Sequence, residues 1–263
     1  MESTVSMGMN RTGLDMAPVS GDDMVDFARA SAQEAPPEVG DSVALHRAYI
    51  EEADPNGSVP LPGTVKGMAT TGMAKLTGDK PEVFIDKLGE RLAFERTGAR
   101  LYEALILKCA AHQGDMTTEI RAAGTVITQG DGGAAADAGG VDLSVLKRIH
   151  DEEEAHFFLV ARALTTLGAD PTAVTPCADV AGVMAQGLMQ TVTDPSTSVP
   201  QSLSALLTAE LSDNAGWELL VELARQLGHD NMAVEFEAAL ADERRHLTTV
   251  KEWLRSSVLA EAA

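Results

Sequence analysis

A run of four acidic residues at 151–154 lies inside a stretch whose apolar residues otherwise have the spacing of a buried helix. Successive residues on an α-helix are about 100° apart, so four consecutive acids cover most of a turn and one of them can be forced to face the core. The apolar positions on either side follow alternating steps of three and four residues: Leu146, Ile149, Val160 and Ala163. Continued through the run, these steps arrive at Glu153 and His156, whereas Asp151 and Glu154 can face water. The pattern predicts that a glutamate and a histidine replace two core side chains of this helix.

The last long periodic stretch of the chain repeats this arrangement. Its inward positions are predicted to be Phe236, Ala239, Glu243, His246, Val250 and Trp253. Two other stretches each carry a single acid on the apolar side, Glu95 in one and Glu210 in the other. Seven residues later each has an aromatic residue, Tyr102 or Trp217. We interpret the order Glu, Glu-x-x-His, Glu, Glu-x-x-His as an internal duplication of a helix pair.

Helix-breaking residues divide the chain unevenly. Residues 1–80 contain prolines and glycines between short helical stretches around 22–33, 43–53 and 64–76, and are predicted to form an irregular N-terminal arm. Residues 81–263 are predicted to form a helical bundle. Its elements are long helices near 81–113, 142–167, 200–227 and 230–259, and a shorter helix near 178–192. The predicted fold is all-α: an antiparallel four-helix bundle with a crossover of about 30 residues between the second and third long helices.

Composition excludes several classes of partner. The net charge of −20 argues against nucleic acid or an anionic membrane surface, because both would repel the chain. The first residues show neither the basic nor the apolar region of a signal peptide, and no apolar run approaches the roughly 20 residues that span a bilayer. The two cysteines, Cys109 and Cys177, form no CxxC motif. A cytoplasmic location is the resulting expectation.

The combination of inward-facing donors favours a metal site over a solvated surface. A single Glu-x-x-His is common on helices, and a lone glutamate on an apolar stripe usually places its carboxylate at the boundary with water. Four carboxylates buried in one core would instead repel one another and would be costly to desolvate. Two divalent cations neutralise four carboxylates, and two imidazoles complete the coordination. The predicted metal ligands are Glu95, Glu153, His156, Glu210, Glu243 and His246.

This set of motifs resembles that of the ferritin-like di-iron carboxylate superfamily, which includes bacterioferritin and rubrerythrin. In that superfamily two helices each supply one glutamate and two supply Glu-x-x-His. The resemblance covers about 81–259. It implies that Glu153 and Glu243 bridge the metals and that Glu95 and Glu210 each bind one.

The resemblance also implies roles for three neighbouring residues. Glu152 and Asp242 precede the two motif glutamates and would each accept the Nδ1 proton of the histidine on the opposite helix pair. The alternative for Glu152 is a solvated acid. Tyr102 resembles a tyrosine of the family that bonds a ligand carboxylate, which implies a catalytic role; its alternative is an ordinary core aromatic.

The expected chemistry is that of a di-iron oxidoreductase, an oxidase, ferroxidase or peroxidase that consumes O₂ or H₂O₂. Iron or manganese suits an oxygen-rich site with two imidazoles. Electrons would come from Fe(II) itself or from a separate donor, because the chain lacks a cysteine-rich electron-transfer module. Three alternatives stay open: an iron-storage protein, a metal-binding scaffold without turnover, and a manganese catalase. A homodimer is one expected arrangement.

Overall fold

The regular secondary structure of the described part of the chain is α-helical. The computed structural model describes residues 20–34, 39–62, 67, 80–112 and 140–263, which contain no β-strand. Their helices are α1 Gly21–Glu34, α2 Val39–Glu52, α3 Pro81–His112, α4 Leu143–Thr166, α5 Pro176–Thr193, α6 Val199–Gln226 and α7 Asp230–Ala262. The prediction of an all-α fold is confirmed for these residues. The helical stretch predicted at 64–76 lies outside the described residues except for residue 67, which is helical.

The chain divides into two compact units, Met1–Asn56 and Gly57–Ala263. Within the first unit, α1 and α2 contribute no buried side chain among the residues described. The second unit contains the remaining helices and every buried residue discussed below. The predicted boundary at residue 80 stays a prediction, because 63–66 and 68–79 lie outside the described residues.

The ends of the long helices follow from local sequence. The Asp142 side chain caps α4 by accepting a hydrogen bond of 2.8 Å from the Ser144 backbone N–H. Ser198 and Gln201 form a capping box at the start of α6. Gly168 and Gly228 follow α4 and α6 with φ of 83° and 75°, a left-handed conformation that favours glycine at helix ends. The predicted breaks near 167–177, 193–200 and 227–231 are therefore found in the structure.

Contacts between helices place α3, α4, α6 and α7 around a common centre. Helix α3 packs against α4 and α6, and α7 packs against the same two helices. Helix α5 connects α4 to α6 and lies against α3 and α6. No helix of the described residues has the length and apolar character needed to cross a membrane.

The core consists of two apolar clusters with a polar layer between them. One cluster contains Leu105 of α3, Leu146 of α4, Leu203 of α6 and Val250 of α7. The other contains Leu88, Val160, Leu220 and Phe236 of the same helices. On each helix the predicted metal ligands lie between these positions. The apolar residues thus enclose the polar layer from above and below and keep it from water.

Candidate metal centre

All six predicted ligands are buried in the same region of the second unit. Their exposed fractions are 0% for Glu95, 2% for Glu153, 4% for His156, 3% for Glu210, 0% for Glu243 and 1% for His246. Asp151 and Glu154, the two acids of the 151–154 run expected to face water, are exposed. The helical spacing therefore predicted correctly which members of the acidic run turn inward.

The donors converge in two overlapping sets. Atoms of Glu153, Glu210, Glu243 and His246 lie within 4.8 Å of one another, and we name these residues the Glu210 set. Atoms of Glu95, His156 and Glu243 meet the same condition and form the Glu95 set. Glu243 belongs to both. Sets with these distances are compatible with binding of a metal ion.

A third group shows that the sets are contiguous. Glu95, Glu153 and Glu243 also lie within 4.8 Å of one another, together with Asp213 of α6. Glu153 therefore approaches donors of both sets, as Glu243 does. The sequence analysis did not include Asp213 among the ligands.

Several oxygens of this centre have no hydrogen-bond donor. Three buried carboxylate oxygens accept no hydrogen bond from the described residues: Oε2 of Glu95, Oε2 of Glu153 and Oε2 of Glu210. A buried carboxylate oxygen without a donor is costly, and native proteins rarely retain one without a reason. A divalent cation is a ligand that satisfies such oxygens, so the residues present fit a metal.

Burial and mutual repulsion raise the carboxylate pKa values at both ends of the centre. Burial, followed by the negative charges of Glu153 and Glu243, raises the pKa of Glu95 and of Glu210 well above the usual range. Burial and the charge of Glu243 also raise the pKa of Glu153. Burial and mutual repulsion therefore favour the neutral forms of Glu95 and Glu210.

Contacts between Glu243 and the two histidines shift the pKa values of all three groups towards their charged forms. Burial alone would raise the pKa of Glu243, but hydrogen bonds from His156 and His246 outweigh it and lower the pKa to about 2. Burial alone would lower the pKa of His246, but contacts with Glu153 and Glu243 raise it to about 11. The pKa of His156 is raised mainly by Glu243, again against the effect of burial. Binding of metal ions to such groups would displace protons from them.

The two outer acids lie beside the predicted histidines. Oε2 of Glu152 is 2.7 Å from Nε2 of His246, and Oδ2 of Asp242 is 3.6 Å from Nε2 of His156. Both acids also contact the guanidinium of Arg245. The prediction that Glu152 and Asp242 face the histidines of the opposite helix pair agrees with these positions.

The predicted histidine nitrogen, however, is wrong. Nδ1 of His246 faces the centre, 3.2 Å from Oε2 of Glu243 on the same helix. Nδ1 of His156 lies 2.6 Å from Oε1 of Glu243. Because Nδ1 is the ring nitrogen nearer the backbone, it reaches the inner carboxylates, and the distal Nε2 is left to reach the acid on the neighbouring helix.

Tyr102 and Asn214 hold the ligand helices in place. The Tyr102 hydroxyl donates a hydrogen bond to Oε1 of Glu210, as the sequence analysis expected. Nδ2 of Asn214 donates to the backbone carbonyls of Glu210 at 3.0 Å and Glu243 at 3.1 Å, which joins α6 to α7. The hydrogen bond of Tyr102 positions a carboxylate, while its catalytic role stays a prediction.

Sequence analysis missed four residues that shape the centre. Arg91 is buried beside Glu95, and Arg245 joins the outer acids. A Cβ at Gly98 would overlap Oε2 of Glu153, and a Cβ at Gly216 would overlap the guanidinium of Arg91. The available signal was a glycine inside a long predicted helix, where glycine is unfavourable unless a neighbour needs the space.

Comparison of the chain with protein-family models, with curated proteins and with solved structures finds no match.

Proposed function

We propose that this protein is a ferritin-like four-helix bundle with a dinuclear metal centre, most consistent with iron, that carries out oxidase, ferroxidase or peroxidase chemistry on O₂ or H₂O₂. The observation that carries the proposal is the pair of buried donor sets that share Glu243 and contain three carboxylate oxygens without hydrogen-bond donors. Two adjacent cations account for all six ligands at once. A single cation would leave one terminal glutamate, Glu95 or Glu210, without a role.

The packing supports the bundle architecture. In the first apolar cluster, the N-terminal half of α6 packs with the C-terminal half of α7. In the second, the N-terminal half of α3 packs with the C-terminal half of α4. This is the arrangement expected if neighbouring helices run antiparallel around one core. Helix α5 would then be the crossover between the two duplicated pairs, which accounts for the 30 or so residues between α4 and α6.

In the proposed centre, Glu95 and His156 would hold one ion and Glu210 and His246 the other, and Glu153 and Glu243, which approach donors of both sets, would help to hold both. The donor set of carboxylates and imidazoles suits Fe(II) or Mn(II). Two ferrous ions held in this way supply two electrons to O₂ or peroxide.

The chain's own residues position this chemistry. Tyr102 holds Oε1 of Glu210 and leaves its Oε2 free for a metal. Glu152 accepts the Nε2 proton of His246, which fixes the tautomer that presents Nδ1 to the centre. The apolar clusters on both sides exclude water, which strengthens the interaction of the carboxylates with a cation.

Aerobic oxidation of the ferrous protein tests the proposal. Metal-free protein is loaded anaerobically with two Fe(II) per chain, and the visible spectrum is followed after addition of O₂ or, separately, H₂O₂. We expect oxidation faster than that of free Fe(II) in the same buffer. Stoichiometric binding with oxidation no faster than free Fe(II) would support a metal-binding scaffold instead. Failure to bind two ions would reject the dinuclear centre itself.

A further inference from the structure

The two donor sets differ by one buried ion pair. Arg91 lies four residues before Glu95 on α3, and its side chain is 3% exposed. Its Nη1 contacts Oδ1 of Asp213, whose side chain is also 3% exposed, and lies 3.5 Å from Oε1 of Glu95. The guanidinium also lies over the ring of Phe94, with Cζ 4.7 Å from the ring centroid. Arginine cannot lose its proton in a protein, so this is a permanent positive charge beside the Glu95 set.

The internal duplication identifies the equivalent positions in the other half. Leu206 lies four residues before Glu210, where Arg91 lies before Glu95. Gly98 lies three residues after Glu95, where Asp213 lies after Glu210. The pair beside Glu95, Arg91 of the first repeat and Asp213 of the second, therefore corresponds to Leu206 of the second repeat and Gly98 of the first. The duplication alone therefore does not account for the charged pair, because the equivalent positions hold uncharged residues.

The terminal glutamates of the two sets have matching hydrogen bonds with different donors. Each has a donor near Oε1, and each has a buried Oε2 that accepts no hydrogen bond from the described residues. For Glu210 the donor is the neutral hydroxyl of Tyr102, and for Glu95 it is the guanidinium of Arg91. A charged donor withdraws more negative charge from a carboxylate than a neutral one does, and it also repels a cation directly.

The charge balance explains why Asp213 accompanies Arg91. Four ligand carboxylates and Asp213 carry five negative charges when ionised, and Arg91 leaves four, which two divalent cations neutralise. Asp213 thus cancels the charge of Arg91 for the centre as a whole. Asp213 does not restore the negative charge that Arg91 withdraws from Oε1 of Glu95, because Arg91 contacts both carboxylates.

The backbone leaves a space for the guanidinium. A Cβ at position 216 would overlap Nη2 of Arg91, so Gly216 provides the volume that this side chain needs. Phe94 on one side and Trp217 on the other, the latter with its centroid 6.0 Å from Cζ, complete the pocket. The position of Arg91 is therefore fixed by its surroundings and not by the ion pair alone.

We propose that Arg91, held by Asp213, is a positioning residue that makes the Glu95 set the weaker of two metal positions, so that the centre fills in order with the Glu210 set first. This inference rests on the proposed dinuclear centre. Both ions still bind, because the ion pair leaves the total charge of the centre unchanged. The consequence is a centre with two inequivalent ions although its six ligands are duplicated.

Calorimetric titration of the metal-free full-length chain with Mn²⁺ tests the proposal. For the natural sequence we expect two binding steps whose dissociation constants differ by about tenfold, the difference expected between a charged and a neutral hydrogen-bond donor. The double variant R91L/D213A places a leucine and a small residue beside Glu95, in keeping with the leucine and glycine at the equivalent positions 206 and 98, while alanine keeps helix propensity high. It should still bind two ions, with the difference between the two steps largely removed. An unchanged difference would overturn the proposal.

Single variants decide the order of filling even if the double variant does not fold. E95Q should remove the weaker step and E210Q the tighter step, and circular dichroism checks that each remains helical. Loss of the tighter step in E95Q would overturn the proposal while leaving the dinuclear centre intact. A natural chain that binds fewer than two Mn²⁺ ions would instead reject both this inference and the proposed function.

Discussion

The two halves of the centre have the same types of candidate ligand and differ in the groups that contact them. Beside Glu210 and His246, a tyrosine hydroxyl bonds the carboxylate and Glu152 lies 2.7 Å from the imidazole. Beside Glu95 and His156, the ring of Trp217 meets the imidazole edge-on at 5.6 Å, and Asp242 lies 3.6 Å away. A buried arginine and aspartate are added on this side.

In the proposed dinuclear centre, the repeat would determine which atoms can bind a metal, and the surroundings would determine how strongly they bind it. Ligands must keep their spacing on the helix to meet at one point, so a duplication preserves them. Neighbouring side chains only have to fill the remaining volume and satisfy the ligands. They have diverged into a half with neutral hydrogen-bond donors and a half with a fixed charge.

The largest effect is expected from the two carboxylates that approach donors of both halves, Glu243 and Glu153. Glu243→Ala removes a donor from both sets and should abolish binding of two metal ions, as should Glu153→Ala. The matched control is Glu154→Ala, an exposed acid of the same run that should leave binding unchanged. Elemental analysis after dialysis against Fe(II) or Mn(II) measures the bound ions. Retention of two ions by Glu243→Ala alongside their loss in Glu154→Ala would show that the inward side of the helices has been assigned wrongly.

A smaller loss of metal binding is expected from substitution of Gly98, whose missing side chain leaves room for Glu153. Gly98→Ala places a Cβ against Oε2 of Glu153 and should weaken metal binding by about tenfold, since overpacking of a buried site typically costs about 1–3 kcal/mol. Gly187→Ala, at a helical glycine with nothing within 4 Å, is the control. It should leave metal binding unchanged and stabilise the fold by about 0.5–1 kcal/mol. Equal metal affinities of the two variants, measured by calorimetry, would contradict the placement of Glu153.

The outer acids allow a direct comparison of the halves. Glu152→Ala should weaken metal binding by about tenfold, the lower end of the range for partners of metal-bound histidines. Asp242→Ala should have a smaller effect, because Asp242 lies 3.6 Å from its histidine and Glu152 only 2.7 Å from its own. Competition with a metal-sensitive dye gives both affinities. A larger loss of metal affinity in Asp242→Ala than in Glu152→Ala would contradict this order of effects.

The smallest expected effect is a change with pH in the stability of metal-free protein. The pKa values of Glu95, Glu210, His156 and His246 are all raised on folding, so the folded protein binds more protons than the unfolded chain above the usual glutamate pKa of 4.5. The free energy of unfolding should therefore fall from about pH 5 to about pH 8. Glu243 acts in the opposite direction, but only below pH 4.5, because its pKa is lowered to about 2.

Thermal unfolding at several pH values checks this prediction. Metal-loaded protein provides the comparison, since cations replace the protons and should reduce the decline. A metal-free protein whose unfolding temperature rises over the same pH range would contradict the charge assignment in the centre.

The sequence was sufficient for the features that depend on helical spacing. Glu153, His156, Glu243 and His246 could be placed in the core because the apolar residues before and after them follow the helical period. The ends of α4 and α6 could be located because Gly168 and Gly228 follow them.

Features that depend on contacts between helices could not be read in this way. Arg91 is a charged residue in a helix that has many, and only its packing against Phe94, Asp213 and Gly216 shows that it is buried. Asp213 follows Glu210 by three residues in the sequence, yet its partner is on α3. The histidine nitrogen was assigned wrongly because helical spacing specifies where a residue lies and not how its side chain rotates.

Anomalous X-ray diffraction from crystals of the protein loaded with Fe(II) tests the central claim most directly. The account predicts two iron peaks inside the second unit, both in contact with Glu243, with one beside Glu210 and His246 and the other beside Glu95 and His156. A single peak, peaks only at surface acids, or a centre without iron whose carboxylates remain as they are in the metal-free protein would contradict it.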